Sequence, residues 1–298
     1  MWLPMDYVWR KRGDLFDGKE ELEKAPRPRK GEVINDMLEN WEECPLPGKK
    51  RPRKKPLHGV WKARSVFWDL PYWKYLHTPH SLDMMHITKN VCESLLGTLL
   101  NMPERTKDGP KARSDLELLG IKKELHGSAP DEDDDDEMGE DTQGRRKRAK
   151  RRDVVFPAAC FTLSEKELEQ FFKCLLGVKV SHGYSGNIGR YLDETKKRFS
   201  GMKSHDCHML MIHILPVAIR GIMDEHVHET LFGLCNFFDV ISRKSIGLKQ
   251  LDALQEEIVV ILCEREIYFP PAFSDIMVHL LIHVVDEIVH LGRHSCTT

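Results

Sequence analysis

The chain has 298 residues and carries 45 Lys+Arg against 47 Asp+Glu, so its net charge is close to zero. A hydrophobic fraction of 41% beside a charged fraction of 31% excludes a membrane bundle and a wholly disordered chain. It describes a core diluted by charged segments, in one large domain or two modest ones.

In chain order, the start MWLPMDYVWRKRGD has no apolar h-region, so no secretory signal is expected. Residues 31 to 44 follow, with Val33, Ile34, Met37, Leu38 and Trp41 on one helical face. The spacing predicts a helix over 82–100 with Met85, Val91, Leu95, Leu96 and Leu99 toward a core, and Ser81 as its cap. Ser114 to Leu119 reads as the start of a short helix closed by Gly120. Ser164 with Glu167 has the capping-box spacing, ahead of a helix carrying Leu168, Phe171, Phe172 and Leu175. A Gly/Ser-rich loop covers 182–189. Helical periodicity returns at 206–215, is interrupted by Pro216, and resumes at 226–241, 248–266 and 272–289, the last one begun by Pro270 and Pro271. Strand patterns, at 154–156 and 178–181, are too short to build a sheet, so the chain reads as mainly α.

Charge is strongly segregated. Asp131 to Asp141 holds nine acids and no base, and Arg145 to Arg152 holds seven bases and no acid. Such blocks repel themselves and have nothing apolar to bury, which predicts a disordered linker over 127–153. Two basic tracts suit DNA phosphates or nuclear import: Lys49, Lys50, Arg51, Arg53, Lys54 and Lys55, then Arg145, Arg146, Lys147, Arg148, Lys150, Arg151 and Arg152. A solvated charged linker explains them equally well. The acidic block is expected to mask the neighbouring basic tract until a partner displaces it. That idea fails if deleting 131–141 leaves DNA affinity and its salt dependence unchanged. The eight scattered cysteines contain no CxxC pair, so free thiols in a reducing compartment, cytosol or nucleus, are expected. No run is long enough for a bilayer span, and no membrane partner is expected.

Three clusters combine chemically active side chains. Asp83 and His86 stand three apart, so on a helix they share a face, and His80 precedes them by a similar step. They suit a divalent ion or, more simply, a capped turn. His205, Cys207 and His208, with Asp206 and His213, are weak metal candidates, because zinc usually needs a second ligand pair. The plainer reading is a helix start capped by Ser204 or Asp206. His279, His283, Asp286 and His290 form one polar stripe opposite Met277, Leu281, Val284, Val285 and Ile288; an amphipathic helix is the favoured explanation, a cavity lining that contacts an ion or a phosphate the alternative. The phosphate loop, the dinucleotide fingerprint, the nucleophile elbow and HExxH are all missing from the sequence.

The stretch HSLDMMHITKNVCESLLGTLLN, followed by TKDG, resembles the closing part of the transposase region of plant CACTA (En/Spm-type) DNA transposons. WLPMDYVWRKRGDLFDGKEE is similar to a segment inside the nuclease region of that family. GVKVSHGYSGNI, GMKSHDCHMLMIHILPVAIRGI, LCNFFDVISRKSI and LDALQEEIVVILCEREIYFPPAFSDIMVHLLIHVVDEI resemble the domain of unknown function that follows it. The family usually carries an acid where this chain has Thr88.

The resemblance implies a cut-and-paste transposase with an RNase H-like core, whose acids hold Mg²⁺ or Mn²⁺ at DNA element ends. It implies a partial transposase region at 1–126, the linker at 127–153, a helical domain at 154–292 and a tail outside the family at 293–298. Asp83 and His86 match the family's D-x-x-H, and Glu287 is the candidate for the last catalytic acid. Upstream strands and at least one acid of the family pattern are missing, so the N-terminal part is expected to be an incomplete core and the chain a truncated, inactive copy. A residual DNA- or protein-binding role in the nucleus is the leading expectation. A helical protein-interaction module comes second and an active metal nuclease third. The helical piece is expected to fold alone better than the N-terminal piece, and proteolysis is expected first at 145–152.

Overall fold

A computed structural model describes residues 3, 6–20, 22–24, 29–39, 64–79, 81–128, 154–178, 187–193 and 197–292. They are mainly helical, as composition and periodicity predict. The helices are α1 (Gly31–Glu39), α2 (Met84–Leu99), α3 (Pro110–Leu119), α4 (Glu165–Gly177), α5 (Ser204–Met209), α6 (Leu215–Ala218), α7 (Glu225–Ile241), α8 (Leu248–Tyr268) and α9 (Ile276–Gly292). The sheet content among the described residues is one antiparallel pair, β1 (Leu192–Asp193) with β2 (Arg198–Phe199), and an isolated bridge between Ser128 and Val155. Within the described part of 1–126 there are helices and 3₁₀ turns but no strand.

The chain divides into two compact units. One comprises Met1–Leu22 and Met84–Ile282, the other Glu23–Asp83 and His283–Thr298. Packing therefore groups residues 84–126 with the C-terminal helices, across the expected linker. The Ser128–Val155 bridge holds the two flanks of the charged segment side by side. The charge blocks themselves lie outside the described residues.

In the first unit α2 is central. Its Ile87, Val91, Cys92, Leu95, Leu96 and Leu99 are buried, and it packs on α5. It starts at Met84, so Ser81 stands too early to cap it, and Met85 faces outward at 38% exposure. α3 begins at Pro110, earlier than its apolar spacing suggested, because proline suits the first helical turn, where its missing N–H costs nothing. Gly120 ends α3 in the left-handed conformation, φ 68°, with its N–H on the carbonyls of Glu117 and Leu116. The capping box of α4 forms as predicted: the Glu167 carboxylate accepts from the Ser164 N–H at 2.7 Å, and Ser164 Oγ accepts in return from the Glu167 N–H.

Pro216 does not end its helix. α5 runs through a π turn, Leu210–Ile214, into α6. Proline cannot donate to the carbonyl four residues back and its ring crowds that carbonyl, so a widened turn accommodates it. Pro270 and Pro271 open a 3₁₀ turn, Pro271–Phe273, instead of α9. α9 starts after Asp275, whose Oδ1 accepts from the N–H groups of Met277 and Val278. α7 and α8 pack together, and stacked Phe161 and Phe269, 4.6 Å between centroids, bring the 159–163 segment onto the end of α8.

In the second unit α1 packs on the 3₁₀ turn Trp73–Tyr75. Leu38 and Asn35 are its buried residues, while Val33 and Met37 are exposed, so the predicted apolar face is only partly used. Phe67 stacks on Trp73 at 4.6 Å, and His77 stacks on His290 of α9 at 5.3 Å.

Candidate functional site

Asp83 is the residue before α2, and His86 lies in its first turn; both side chains are exposed. Glu287, 205 positions from Leu82, places its Oε1 2.7 Å from the Leu82 backbone N and accepts that N–H. The fold thus brings the remote candidate acid to the residue adjoining Asp83. The bond it makes there is a structural one, satisfying an amide that no helix serves. His80 and both basic tracts lie outside the described residues. Among the described residues no group of three His, Cys, Asp or Glu is arranged to hold a metal ion.

The second cluster separates. Cys207 and Cys92 of α2 are both buried, and their thiols are close enough to influence each other. The interaction with Cys207, then burial, holds Cys92 far above the ordinary thiol range, while the same interaction lowers Cys207 against the opposing effect of burial. His205 is exposed. His208 is half-buried, and burial, followed by the neighbouring His205 and His213, lowers its pKa. Asp206 reaches back from the third position of α5 to accept the Lys203 N–H at 2.9 Å, so the segment is a capped helix start, but with Lys203 at the cap rather than Ser204 or Asp206. On α9, His279, His283 and Asp286 are exposed and His290 half-buried, while Val278, Leu281, Val284 and Val285 are buried, the pattern of an amphipathic helix.

Reading by motif missed a cavity of about 410 Å³ in the first unit. One wall is the N-terminal segment, with Trp9, Arg10, Phe16, Asp17 and Lys19. The facing wall comes from Ile121 and Lys122 after α3 and from Cys263, Glu266, Pro271 and Ser274 around the end of α8. The N-terminal wall is shaped by a tight loop in which the N–H groups of Phe16 and Gly18 both bond to the Gly13 carbonyl. A side chain at Gly13 would meet the backbone of Lys19 at 2.7 Å, and Gly18 sits at φ 84°, so both positions require glycine. Arg10 fixes the wall's other end through Nε and Nη2, both donating to the Leu3 carbonyl.

Behind the cavity wall lies Arg265, 1% exposed. Its Nη2 donates to Ser274 Oγ at 2.7 Å and stands 3.8 Å from Glu266 Oε1, and both partners line the cavity. Its Nε and Nη1 are buried without a hydrogen-bond partner among the described residues. Burial pulls this guanidinium down to about 10. Lys122 donates to the Ile267 carbonyl and is likewise lowered by burial. A signal for Arg265 was present in the sequence: it interrupts the apolar side of a 21-residue helix, where a charge has to be buried.

Against known proteins, a family model described as a domain of unknown function (DUF4218) matches residues 241–293. That span covers all of α8 and α9, the Arg265 segment included. No curated protein matches the chain, and no solved structure matches it.

Proposed function

We propose that the chain is a transposon-derived protein, part of a cut-and-paste DNA transposase of the CACTA (En/Spm) type, that binds DNA in the nucleus without cutting it. The observation that carries this reading is the match over residues 241–293 to a domain known from plant transposase-related proteins. The sequence resemblance at 80–109 supports it independently. Support for binding over cutting comes from the candidate last acid: the Glu287 carboxylate is engaged in holding the Leu82 amide. The two basic tracts supply the phosphate contacts.

The test is fluorescence anisotropy with duplex DNA between 50 and 200 mM salt. A tract that neutralises phosphates releases counterions, so log K falls with log salt by about 0.9 per contact. Replacing the bases of 145–152 and of 49–55 by Gly and Ser is expected to flatten that slope. A slope unchanged by both replacements refutes the reading. The nuclease alternative is examined with supercoiled plasmid and Mg²⁺ or Mn²⁺. Cleavage abolished by Asp83→Ala would overturn the inactive assignment. A protein-interaction role is the second reading, favoured by the exposed Val66, Phe67, Leu70, Tyr72, Tyr75 and Leu76 of the second unit. It predicts partner binding with little salt dependence.

A further inference from the structure

The cavity between the N-terminal segment and the end of α8 combines three kinds of group. Trp9 and Phe16 are half-buried rings with surface left uncovered. Lys19 and Lys122 are cations with N–H donors to spare: Lys122 uses one on the Ile267 carbonyl, and Lys19 has no side-chain partner among the described residues. Asp17 and Glu266 are acceptors on the same walls. Ser274 Oγ accepts from Arg265, so its own proton is available to donate. The buried guanidinium behind it adds positive potential in a setting that screens charge poorly.

A simple anion would suit the cations but not the acids or the rings. A purely apolar ligand would suit the rings alone. A flat aromatic body that carries N–H or O–H donors and ends in an anion matches all three sets at once, and 410 Å³ lies within the size range of small-molecule sites. We infer that this cavity binds a nucleotide, its base against Trp9 and Phe16, its phosphate at Lys19, Lys122 and Ser274, and its donors at Asp17 or Glu266. The inference stands on the cavity alone and does not depend on the transposase reading. The nucleotide comes either as a free mononucleotide or as the terminal nucleotide of a DNA strand, and these sources share the same chemistry.

Isothermal titration of the full chain separates them. The probes are dAMP, deoxyadenosine, inorganic phosphate and a 5′-phosphorylated oligo-dA. Binding of dAMP with at least tenfold weaker binding of deoxyadenosine and of phosphate supports a free nucleotide. Binding confined to the oligonucleotide supports a strand end, provided that the variants below weaken it. Lys122→Met and Trp9→Ala should each weaken binding about tenfold or more, the scale of a lost charge-assisted bond or stacking contact. Both are partly buried and can disturb folding, so Lys19→Met, at an exposed position, is the decisive variant. It should weaken binding about tenfold with an unchanged circular dichroism spectrum. Absence of binding to both dAMP and the oligonucleotide, or binding indifferent to Lys19→Met and Trp9→Ala alike, overturns the assignment.

Discussion

Two glycines inside helices give a matched test of how the first unit is packed. Gly97 lies near the end of α2 and Gly233 in the middle of α7. A methyl group at Gly97 would sit 2.7 Å from the Arg105 carbonyl oxygen and 2.9 Å from its carbon. That backbone cannot retreat easily, because the Met102 N–H bonds to the Gly97 carbonyl and the N–H groups of Arg105 and Thr106 both bond to the Met102 carbonyl. A methyl group at Gly233 would instead meet Ile261 Cδ1 at 2.9 Å and Cγ1 at 3.1 Å, the mobile end of a side chain. Glycine to alanine within a helix gains about 1 kcal/mol from propensity at either site. Overpacking costs about 1–3 kcal/mol, about 2–3 where the neighbour is rigid backbone and less where it can turn. Gly97→Ala is therefore expected to lose about 1–2 kcal/mol net, and Gly233→Ala to stay within about 0.5 kcal/mol of the parent. At about 2–4 °C per kcal/mol the first variant should melt about 2–8 °C lower. Urea and thermal unfolding followed by circular dichroism measure both. A Gly97→Ala protein as stable as its parent, or a Gly233→Ala protein that loses more, would refute the argument that backbone rigidity decides the sign.

Arg113 and Arg265 are both buried but differ in their partners. Arg113 grips Asp108 with two bonds of 2.5 and 2.7 Å and donates to the Leu125 carbonyl, so Arg113→Met leaves a buried carboxylate unpaired and should cost about 3–5 kcal/mol in a urea titration. Arg265→Met removes a guanidinium with two orphaned nitrogens and should change stability by no more than about 1 kcal/mol. Equal losses in the two variants would contradict this contrast. Cys235 and Cys263 are pushed up to about 12 by burial, so at pH 8 their thiolate fraction is about a thousandfold below that of an ordinary thiol. Brief native alkylation read by mass spectrometry should mark Cys160, which is exposed, and spare these two; early labelling of Cys235 counts against the packing of α7. Burial raises Glu264 above its ordinary value of 4.5. The folded state then holds a proton that the unfolded state has released, and stability falls as pH rises through the window above 4.5. Glu264→Gln should flatten that fall, and an unchanged stability profile between pH 4 and 7 would remove Glu264 as its source.

Helix positions were legible wherever apolar spacing and end signals agreed. The capping box at Ser164 and Glu167 formed as read, and α7 and α8 start and stop within a few residues of their periodic segments. The reading slipped where one residue has two uses. Pro216 stops a regular α-helix but permits a π turn, and Pro270–Pro271 suits a 3₁₀ turn as well as an α-helical start. Val33 and Met37 have the spacing of a core face, yet α1 buries Asn35 beside Leu38, because position in the fold decides which stripe meets a neighbour. Spacing could not reveal the partner of Glu287, since a bond to Leu82 spans 205 positions and leaves no local trace. The cavity was invisible for the same reason. Its walls come from residues 3–19, 121–122 and 263–274, and no sequence window contains more than one of them.

The expected independence of the C-terminal helical piece is where packing most changes the picture. α2 belongs to the N-terminal side of the charged segment, yet its Ile87, Val91, Leu95, Leu96 and Leu99 are at most 2% exposed, and it packs on α5. Burial of each such side chain contributes about 1.5–3 kcal/mol, so five amount to about 8–15 kcal/mol, comparable to the whole stability of a domain. A fragment of 154–292 made alone is therefore expected to lack a cooperative thermal transition. Adding a second fragment, 82–128, should restore it, because the missing helix can dock without its covalent link. The Ser128–Val155 bridge brings the two ends of the intervening segment together, so replacing 131–152 with a short Gly/Ser linker should leave the melting temperature of the full chain unchanged within about 2 °C, since loop closure depends only weakly on length. Calorimetry on the three preparations decides the matter. A sharp transition in 154–292 alone would show that α2 is dispensable and that the charged segment does mark a folding boundary.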